Sequence, residues 1–253
     1  MVIPCIDMKI ILIGAGNLAT RLAVALQKKG MTPAYIYSRT RESAEQLSER
    51  LRDVPYSTDI SRVSTDGDLY IFAVKDSALL DLVSRMPANR GLWVHTAGSM
   101  DMEVFAPYTA RYGVFYPMQT FSKERKTDFD DIPIFVEANH TNDTERLQEL
   151  AGRLSTKVYE ATSEQRKYLH LAAVFACNFT NHLYALCDRI LSEHGLPFET
   201  MLPLIRETAA KVADMPPAQA QTGPAIRYDK NVIDKQMALL SDPTMRQIYD
   251  LMS

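Results

Sequence analysis

The sequence predicts an α/β domain with a doubly wound, mostly parallel sheet, followed by an all-helical C-terminal domain. Up to about residue 160, short apolar runs alternate with amphipathic stretches, which is typical of parallel strands connected by helices. After Gly152, neither glycine nor proline occurs again before Gly195, so a long uninterrupted helix is expected there. With 46% hydrophobic residues among 253, the chain can build a sizeable core.

The predicted strands are short, rich in β-branched and aromatic residues, and show little alternation, which suits strands buried on both faces. They are Lys9 to Ile13, Ala34 to Tyr37, Asp68 to Val74, Gly91 to His95, Gly113 to Tyr116 and Ile134 to Glu137, with a possible last strand at Lys157 to Tyr159. Between the strands, apolar residues recur at helical spacing in Leu18 to Lys29, Arg41 to Arg52 and Ser77 to Arg85.

The helical part is predicted to begin with Ser163 as the cap of a helix that runs to about His194. At 1.5 Å per residue this helix is roughly 48 Å long, too long for a crossover between strands. Further helices are expected at Phe198 to Ala213 and Asn231 to Leu240. We therefore predict two domains, 1–160 and 161–253.

Composition excludes several partners. The net charge of -3 gives no basic excess for a nucleic acid. No apolar run approaches the roughly 18 residues of a membrane span, and residues 1–7 resemble a short lead-in rather than a signal peptide. Three cysteines (Cys5, Cys177 and Cys187) form no CxxC pair, which favours a reducing compartment. We expect a cytoplasmic protein without membrane or nucleic-acid partners.

A glycine-containing turn follows the first predicted strand at once. Glycine at 14 permits a tight turn, glycine at 16 lets a pyrophosphate approach the backbone, and alanine at 19 lets the next helix pack closely on the strand. The helix N-terminus would then bind the pyrophosphate through its free N–H groups. The pattern predicts a dinucleotide-binding Rossmann domain, although a glycine turn that binds another ligand is the alternative. The predicted contacts are Gly14, Ala15, Gly16, Asn17 and Leu18.

The end of the second strand indicates which dinucleotide is bound. Where an NAD enzyme places an acidic residue on the ribose 2′-hydroxyl, this chain has Ser38, Arg39 and Thr40. A guanidinium and two hydroxyls can hold a 2′-phosphate, so NADP is favoured over NAD. The alternative is that Arg39 and Arg41 are solvated charges at a helix start.

Three further strand ends are expected to face the same crevice, because open sheets bind ligands at the carboxyl ends of their strands. The predicted cofactor contacts there are Ala73, Val74, Lys75, His95 and Thr96. For the first three, the alternative is an ordinary strand exit into a helix capped by Asp76. For His95, a plain structural hydrogen bond is an equal alternative. At the third end, Gln119 and Thr120 have polar groups for a substrate, although ordinary loop polarity explains them at least as well.

The long helix is apolar nearly all round, as a buried helix should be, yet it contains polar residues. His170 and Asn181 lie within roughly 20° of each other at about 100° per residue, and Asn178 is one turn from Asn181. We expect His170, Asn178 and Asn181 to line one wall of a pocket. Polar groups that satisfy the backbone or a dimer seam are the alternative.

The chain resembles a family of Rossmann proteins with a helical C-terminal domain of unknown function, labelled deazaflavin-dependent NADP oxidoreductase or pyrroline-5-carboxylate reductase-like. The segments that carry this resemblance are GAGNLA at 14–19, HTAGS at 95–99, YPMQTFS at 116–122, HLAAVFACNF at 170–179 and TGPAIRYD at 222–229. The resemblance implies NADP(H) in the Rossmann domain and a homodimer through the helical one. His170 and Asn178 match the family, whereas Tyr116 and Gln236 stand where members often have histidine. A mechanism that uses those two histidines cannot be transferred.

These observations predict an NADP(H)-dependent oxidoreductase that transfers hydride to or from a small carbonyl, imine or alcohol. The predicted catalytic residues are His170 as proton donor, because its ordinary pKa lies near neutrality, and Asn178 to orient the substrate. No metal site is predicted. The alternative is a sensor or interaction protein that binds NADP(H) without turnover.

Overall fold

A computed structural model of the chain describes residues 8–253. The predicted lead-in at residues 1–7, including Cys5, lies outside the described residues. The chain divides into two compact units, of which the first ends at Val174 and the second runs from Phe175 to Ser253.

The described part of the first unit contains one eight-stranded sheet in the order β3-β2-β1-β4-β5-β6-β7-β8. Neighbouring strands are parallel except for the antiparallel pair β6 and β7, so the predicted doubly wound, mostly parallel architecture is confirmed. The strands are β1 (Ile10–Ile13), β2 (Tyr35–Tyr37), β3 (Tyr56–Ser57), β4 (Leu69–Phe72), β5 (Leu92–His95), β6 (Tyr112–Pro117), β7 (Ile134–Ala138) and β8 (Val158–Glu160).

Both faces of the sheet are covered, which explains why the central strands are apolar at every position. Successive residues of a strand point to opposite faces. Accordingly Ile10 and Leu12 belong to one core cluster and Ile11 and Ile13 to another. The helices that supply the opposing side chains are α1 (Asn17–Lys28) and α4 (Thr141–Leu154) on the first face and α3 (Asp76–Ser84) on the second.

The predicted elements of this unit agree with the observed ones to within one or two residues at their ends. One strand, β3, and one α-helix, α4, were missed, as were two 3-10 helices at Ile60–Arg62 and Met102–Phe105. Strand β3 has two residues, too few to show a pattern, whereas α4 buries Leu147, Leu150 and Leu154 at helical spacing and was detectable. The connection between β2 and β3 is α2 (Arg41–Arg50).

The predicted long helix is continuous but changes its winding. It consists of α5 (Ser163–Ala173), a π-helical segment at Val174–Phe179, and α6 (Thr180–Glu193). Its cap is Thr162 rather than the predicted Ser163: Thr162 and Gln165 form a capping box, in which each side chain accepts a hydrogen bond from the other residue's amide. The first unit extends beyond the predicted boundary at residue 160, to Val174, because α5 packs on the sheet through Arg166 and Leu169.

The second unit is helical throughout its regular structure, as predicted. Among the side chains of this unit that the structure describes, only Ile233 and Met245 are buried. Within residues 8–253, no helix has both the length and the apolar character that crossing a bilayer requires. After α6 the α-helices are α7 (Leu202–Asp214), α8 (Pro217–Ala220), α9 (Pro224–Arg227), α10 (Lys230–Leu239) and α11 (Pro243–Met252). Of these, α8, α9 and α11 were not predicted.

Candidate functional site

The predicted site residues of the first unit gather at the carboxyl edge of the sheet, by which we mean the ends of the parallel strands β1, β2, β4, β5 and β6. The strand order reverses here, because β1 lies between β2 and β4. Such a reversal opens a crevice at the carboxyl ends of the two central strands, where doubly wound proteins bind ligands.

Gly14 is required by the fold itself. Its φ of +123° is a conformation that other residues rarely adopt, and an added Cβ would lie 2.3 Å from the carbonyl oxygen of Ala73. Its amide donates to the Tyr37 carbonyl at 2.7 Å. Gly14 therefore joins the ends of β1, β2 and β4 in one tight contact, and Ala15 beside it is buried.

Gly16 has a different environment. Its φ of -76° is ordinary, it is exposed, and an added Cβ would meet no atom within 4 Å. It occupies the N-cap position of α1 and offers no capping side chain to the amides that follow, beginning at Asn17 and Leu18. Within residues 8–253 no contact therefore excludes a larger side chain at this position, and the space in front of the helix amides is open to a small anionic group.

The end of β2 presents one uncommitted guanidinium. Arg39 is exposed and forms neither a hydrogen bond nor an ion pair with any residue in the described part of the chain. Arg41, by contrast, donates to Glu45 at 2.6 Å. Ser38 is buried, and Thr40 is exposed at the N-cap of α2 without a side-chain cap bond. The geometry therefore distinguishes Arg39 from Arg41 as the uncommitted guanidinium at the end of β2.

At the end of β4, Ala73 and Val74 are half-buried and Lys75 is exposed. Lys75, not Asp76, occupies the N-cap position of α3, so the predicted cap is wrong. The Asp76 carboxylate instead accepts a hydrogen bond from the Ser99 hydroxyl, across the ends of β4 and β5. This exposed polar pair was not recognised in the sequence, because its members are 23 positions apart.

His95 supports the loop after β5 and cannot contact a ligand, because the residue is 0% exposed. Its Nδ1 accepts from the Ala97 amide at 3.2 Å, and its Nε2 lies 3.3 Å from the Asp101 carbonyl oxygen. The prediction of a cofactor contact at His95 is therefore corrected in favour of its structural alternative. Thr96 is also nearly enclosed, with its hydroxyl directed at the Phe72 carbonyl.

A buried arginine fastens the same loop to α5. Arg166 is 0% exposed, and its guanidinium donates to the carbonyl oxygens of Ala97 and Met100. It also donates to the Glu137 carboxylate at 2.8 Å, and that carboxylate accepts from the amide and hydroxyl of Ser163. We call this set the Arg166 clamp. Sequence reasoning missed it, since one arginine in a helix resembles any solvated charge.

The clamp places His170 beside the strand ends. Gly98 lies directly against His170, so that an added Cβ would lie 2.5 Å from the ring atom Nδ1. The Tyr116 hydroxyl, near the end of β6, is 3.2 Å from the same Nδ1. His170 is half-buried, so part of its ring is open to a ligand. The predicted catalytic histidine therefore belongs to the carboxyl edge.

The remaining predicted site residues, on the long helix and after β6, are all exposed. Asn178 is exposed and belongs to the second unit, within the π-helical segment. The wider turns of a π-helix interrupt the regular 100° step on which the shared face of His170, Asn178 and Asn181 was predicted, so that register does not apply. Gln119 and Thr120 are exposed, and the Gln119 side chain accepts from the amide of Thr120.

Family models cover almost the whole chain. A Rossmann-like domain matches residues 3–118, and a domain of unknown function, DUF2520, matches residues 132–253. Curated proteins give no significant match. Among solved structures, a "putative NADP oxidoreductase" from Bacteroides fragilis is 52% identical, with a TM-score of 0.90, 97% of this chain covered and 96% of that one.

More distant structures share the fold. A pyrroline-5-carboxylate reductase from Coxiella burnetii is 16% identical with a TM-score of 0.61, covering 97% of this chain and 94% of that chain. A reductive aminase from Aspergillus terreus, in complex with NADPH and ethyl levulinate, is 17% identical with a TM-score of 0.63. That match covers 91% of this chain and 77% of the aminase.

The enclosed His95 should make folding stability depend on pH. Burial, and then the nearby Arg166 charge, lower the pKa of His95 from 6.5 to about 4. Between the two pKa values the unfolded chain binds a proton that the folded chain does not. The contribution of His95 to the free energy of unfolding is therefore fully present above the unfolded pKa and is lost as pH falls towards the folded pKa. Over about 2.5 pH units at about 1.4 kcal/mol each, the free energy of unfolding falls by about 3.5 kcal/mol.

Urea denaturation of the wild-type protein and of His95→Gln, near neutral pH and near the lower pKa, measures this contribution. The variant should lack that part of the pH dependence, whatever its absolute stability. Replacing the exposed His194 with glutamine controls for the loss of a histidine. Equal pH dependence in wild-type protein and His95→Gln would refute the assignment.

Proposed function

The chain belongs to the family of proteins that join a Rossmann-like domain to a DUF2520 domain, and on that premise we propose that it is an NADP(H)-dependent oxidoreductase. The observation that carries the proposal is the turn after β1, where the fold requires Gly14 and where Gly16, at the N-cap of α1, leaves open space in front of the first helix amides. The name of the 52% identical relative, an NADP oxidoreductase, supports the same cofactor. The resemblance predicted from the sequence is confirmed.

We propose that the residues of the carboxyl edge divide the cofactor among them. The turn from Gly14 to Leu18 would hold the pyrophosphate through backbone amides. Ser38, Arg39 and Thr40 would hold the 2′-phosphate, to which the free guanidinium of Arg39 contributes a charge-assisted hydrogen bond. Ala73, Val74, Lys75 and Thr96 would adjoin the nicotinamide half.

The chemistry we propose is hydride transfer to or from a small carbonyl, imine or alcohol. When bound, the cofactor supplies or takes the hydride. For reduction, the protein must then hold the substrate carbon against the nicotinamide and supply a proton to the substrate heteroatom. His170 is the proposed donor, since it is the half-buried histidine at the carboxyl edge, and Asn178 is proposed to orient the substrate.

The cofactor assignment predicts that Arg39→Ala weakens NADP(H) binding by about ten- to a hundredfold, the value of a charge-assisted hydrogen bond of about 1.5 to 3 kcal/mol. Binding of NAD(H), which has no 2′-phosphate, should not change. Calorimetric titration with both cofactors measures this, with Arg41→Ala as the matched control because Arg41 is paired with Glu45. Equal affinity of the wild-type protein for NADP(H) and NAD(H) would contradict the proposal.

The catalytic assignment predicts NADPH oxidation with at least one member of a panel of small aldehydes, ketones and imines. His170→Gln should lower turnover by roughly two to four orders of magnitude, the contribution of a general acid, and leave NADPH affinity nearly unchanged. Absorbance of the reduced nicotinamide follows the reaction. Tight NADPH binding without turnover of any panel member would favour the sensor alternative.

We also propose a homodimer formed through the helical unit. Of the large apolar side chains in this unit, Phe175, Phe179, Leu204 and Leu251 are each at least half exposed in the single chain. Ile233 and Met245, the only buried residues among the described side chains of this unit, are too few for the core that a lone domain needs, and exposed large apolar side chains in such number usually mark an interface. The free thiols Cys177 and Cys187 support the proposal of a cytoplasmic location.

Light scattering at micromolar concentration should therefore give twice the chain mass of 28.5 kDa. Phe175→Asp should shift the mass towards one chain, because a buried unpaired charge is costly at an interface. Lys230→Asp, an exposed change in the same unit, is the control. A wild-type mass of one chain would exclude the dimer.

A further inference from the structure

The environment of His170 contains a partner whose role the proposed function leaves open. Tyr116 is 7% exposed and packs with Val114, Phe135 and Ala161 in a small core cluster. Its hydroxyl is 3.2 Å from Nδ1 of His170, and the two rings meet edge to face at 67°. An almost enclosed hydroxyl at this distance forms a hydrogen bond that water scarcely competes for.

The position of the His170 ring is limited on a second side by Gly98. Because an added Cβ there would lie 2.5 Å from Nδ1 and 2.7 Å from Cγ, the ring lies flush against the loop backbone. That loop is held by the Arg166 clamp through the carbonyl oxygens of Ala97 and Met100. Nδ1 is therefore occupied by the protein, and Nε2 is the nitrogen left for a ligand.

A neutral imidazole has one N–H and one acceptor nitrogen, and the partner of one nitrogen sets the state of the other. We propose that Tyr116 donates its hydroxyl proton to Nδ1 and so keeps the His170 proton on Nε2, as the positioning residue of the proton donor. This inference rests on the proposed oxidoreductase function for its chemistry, but not for its geometry.

The proton transfer that this arrangement allows balances without any further group. If a bound cofactor supplied hydride to the substrate carbon, the substrate oxygen or nitrogen would take the Nε2 proton, and Nδ1 would take the hydroxyl proton of Tyr116. Tyr116 would become phenolate, a much weaker base than the alkoxide or amide anion that hydride transfer alone would leave on the substrate. After product release, Nε2 takes a proton from water and Nδ1 returns its proton to Tyr116.

Nitrogen NMR of the full-length protein tests the tautomer directly, without a substrate. The two ring nitrogens of His170, assigned by comparison with His170→Gln, should show a protonated Nε2 and a hydrogen-bonded, unprotonated Nδ1. In Tyr116→Phe the shifts should move towards the average of two exchanging tautomers. The control is Tyr112→Phe, which removes a hydroxyl from the same strand whose partner is Glu103, and it should leave His170 unchanged.

Kinetics with an active panel substrate provides the second arm. Tyr116→Phe should lower kcat by roughly tenfold or more with little change in the KM for NADPH, whereas Tyr112→Phe should change neither. A protonated Nδ1 in the wild-type protein, or wild-type shifts retained in Tyr116→Phe, would overturn the inference. If no substrate is turned over, the oxidoreductase proposal fails while the NMR result still decides the role of Tyr116.

Discussion

The arrangement of the residues around His170 depends on one buried charge. Arg166 has no exposed surface, and such a guanidinium is tolerated only when its donors find acceptors. The acceptors are the Glu137 carboxylate on β7 and two carbonyl groups of the loop after β5. Because breaking a buried pair costs about 3 to 5 kcal/mol, a large share of a domain's stability, this contact fixes loop, sheet and helix α5 together.

The turn after β1 and the surroundings of His170 therefore depend on contacts of different sequence separation. The glycine turn after β1 is largely local: strand β1, Gly14, Gly16 and helix α1 follow one another, and the carbonyl groups of Tyr37 and Ala73 contact Gly14 from elsewhere. The histidine is placed by distant contacts, since Gly98 and Tyr116 reach it across 72 and 54 positions of chain respectively. A dinucleotide fold can thus keep its turn while the residues around the reacting atoms change.

This difference in range also explains what the sequence could predict. The fold class, the turn after β1 and the long helix depend on periodicity and short motifs, and these were recognised. The roles of His95 and Arg166 depend on which side chains meet after folding, so one was assigned to the cofactor and the other was not considered. Tyr116 was noticed only as a departure from a family pattern. The π-helical segment follows from no residue preference that a single sequence displays.

The long helix shows a second limit on what the sequence alone can predict. Apolar residues on all sides predict burial, but burial within a domain and burial against a second molecule leave the same pattern in the sequence. Within residues 8–253 the structure leaves Tyr168, Leu171, Phe175 and Phe179 each at least half exposed. The α5 portion is nevertheless held to the sheet by Arg166 and His170. Periodicity alone therefore could not separate the residues of this helix that contact the sheet from the apolar residues that the described chain leaves exposed.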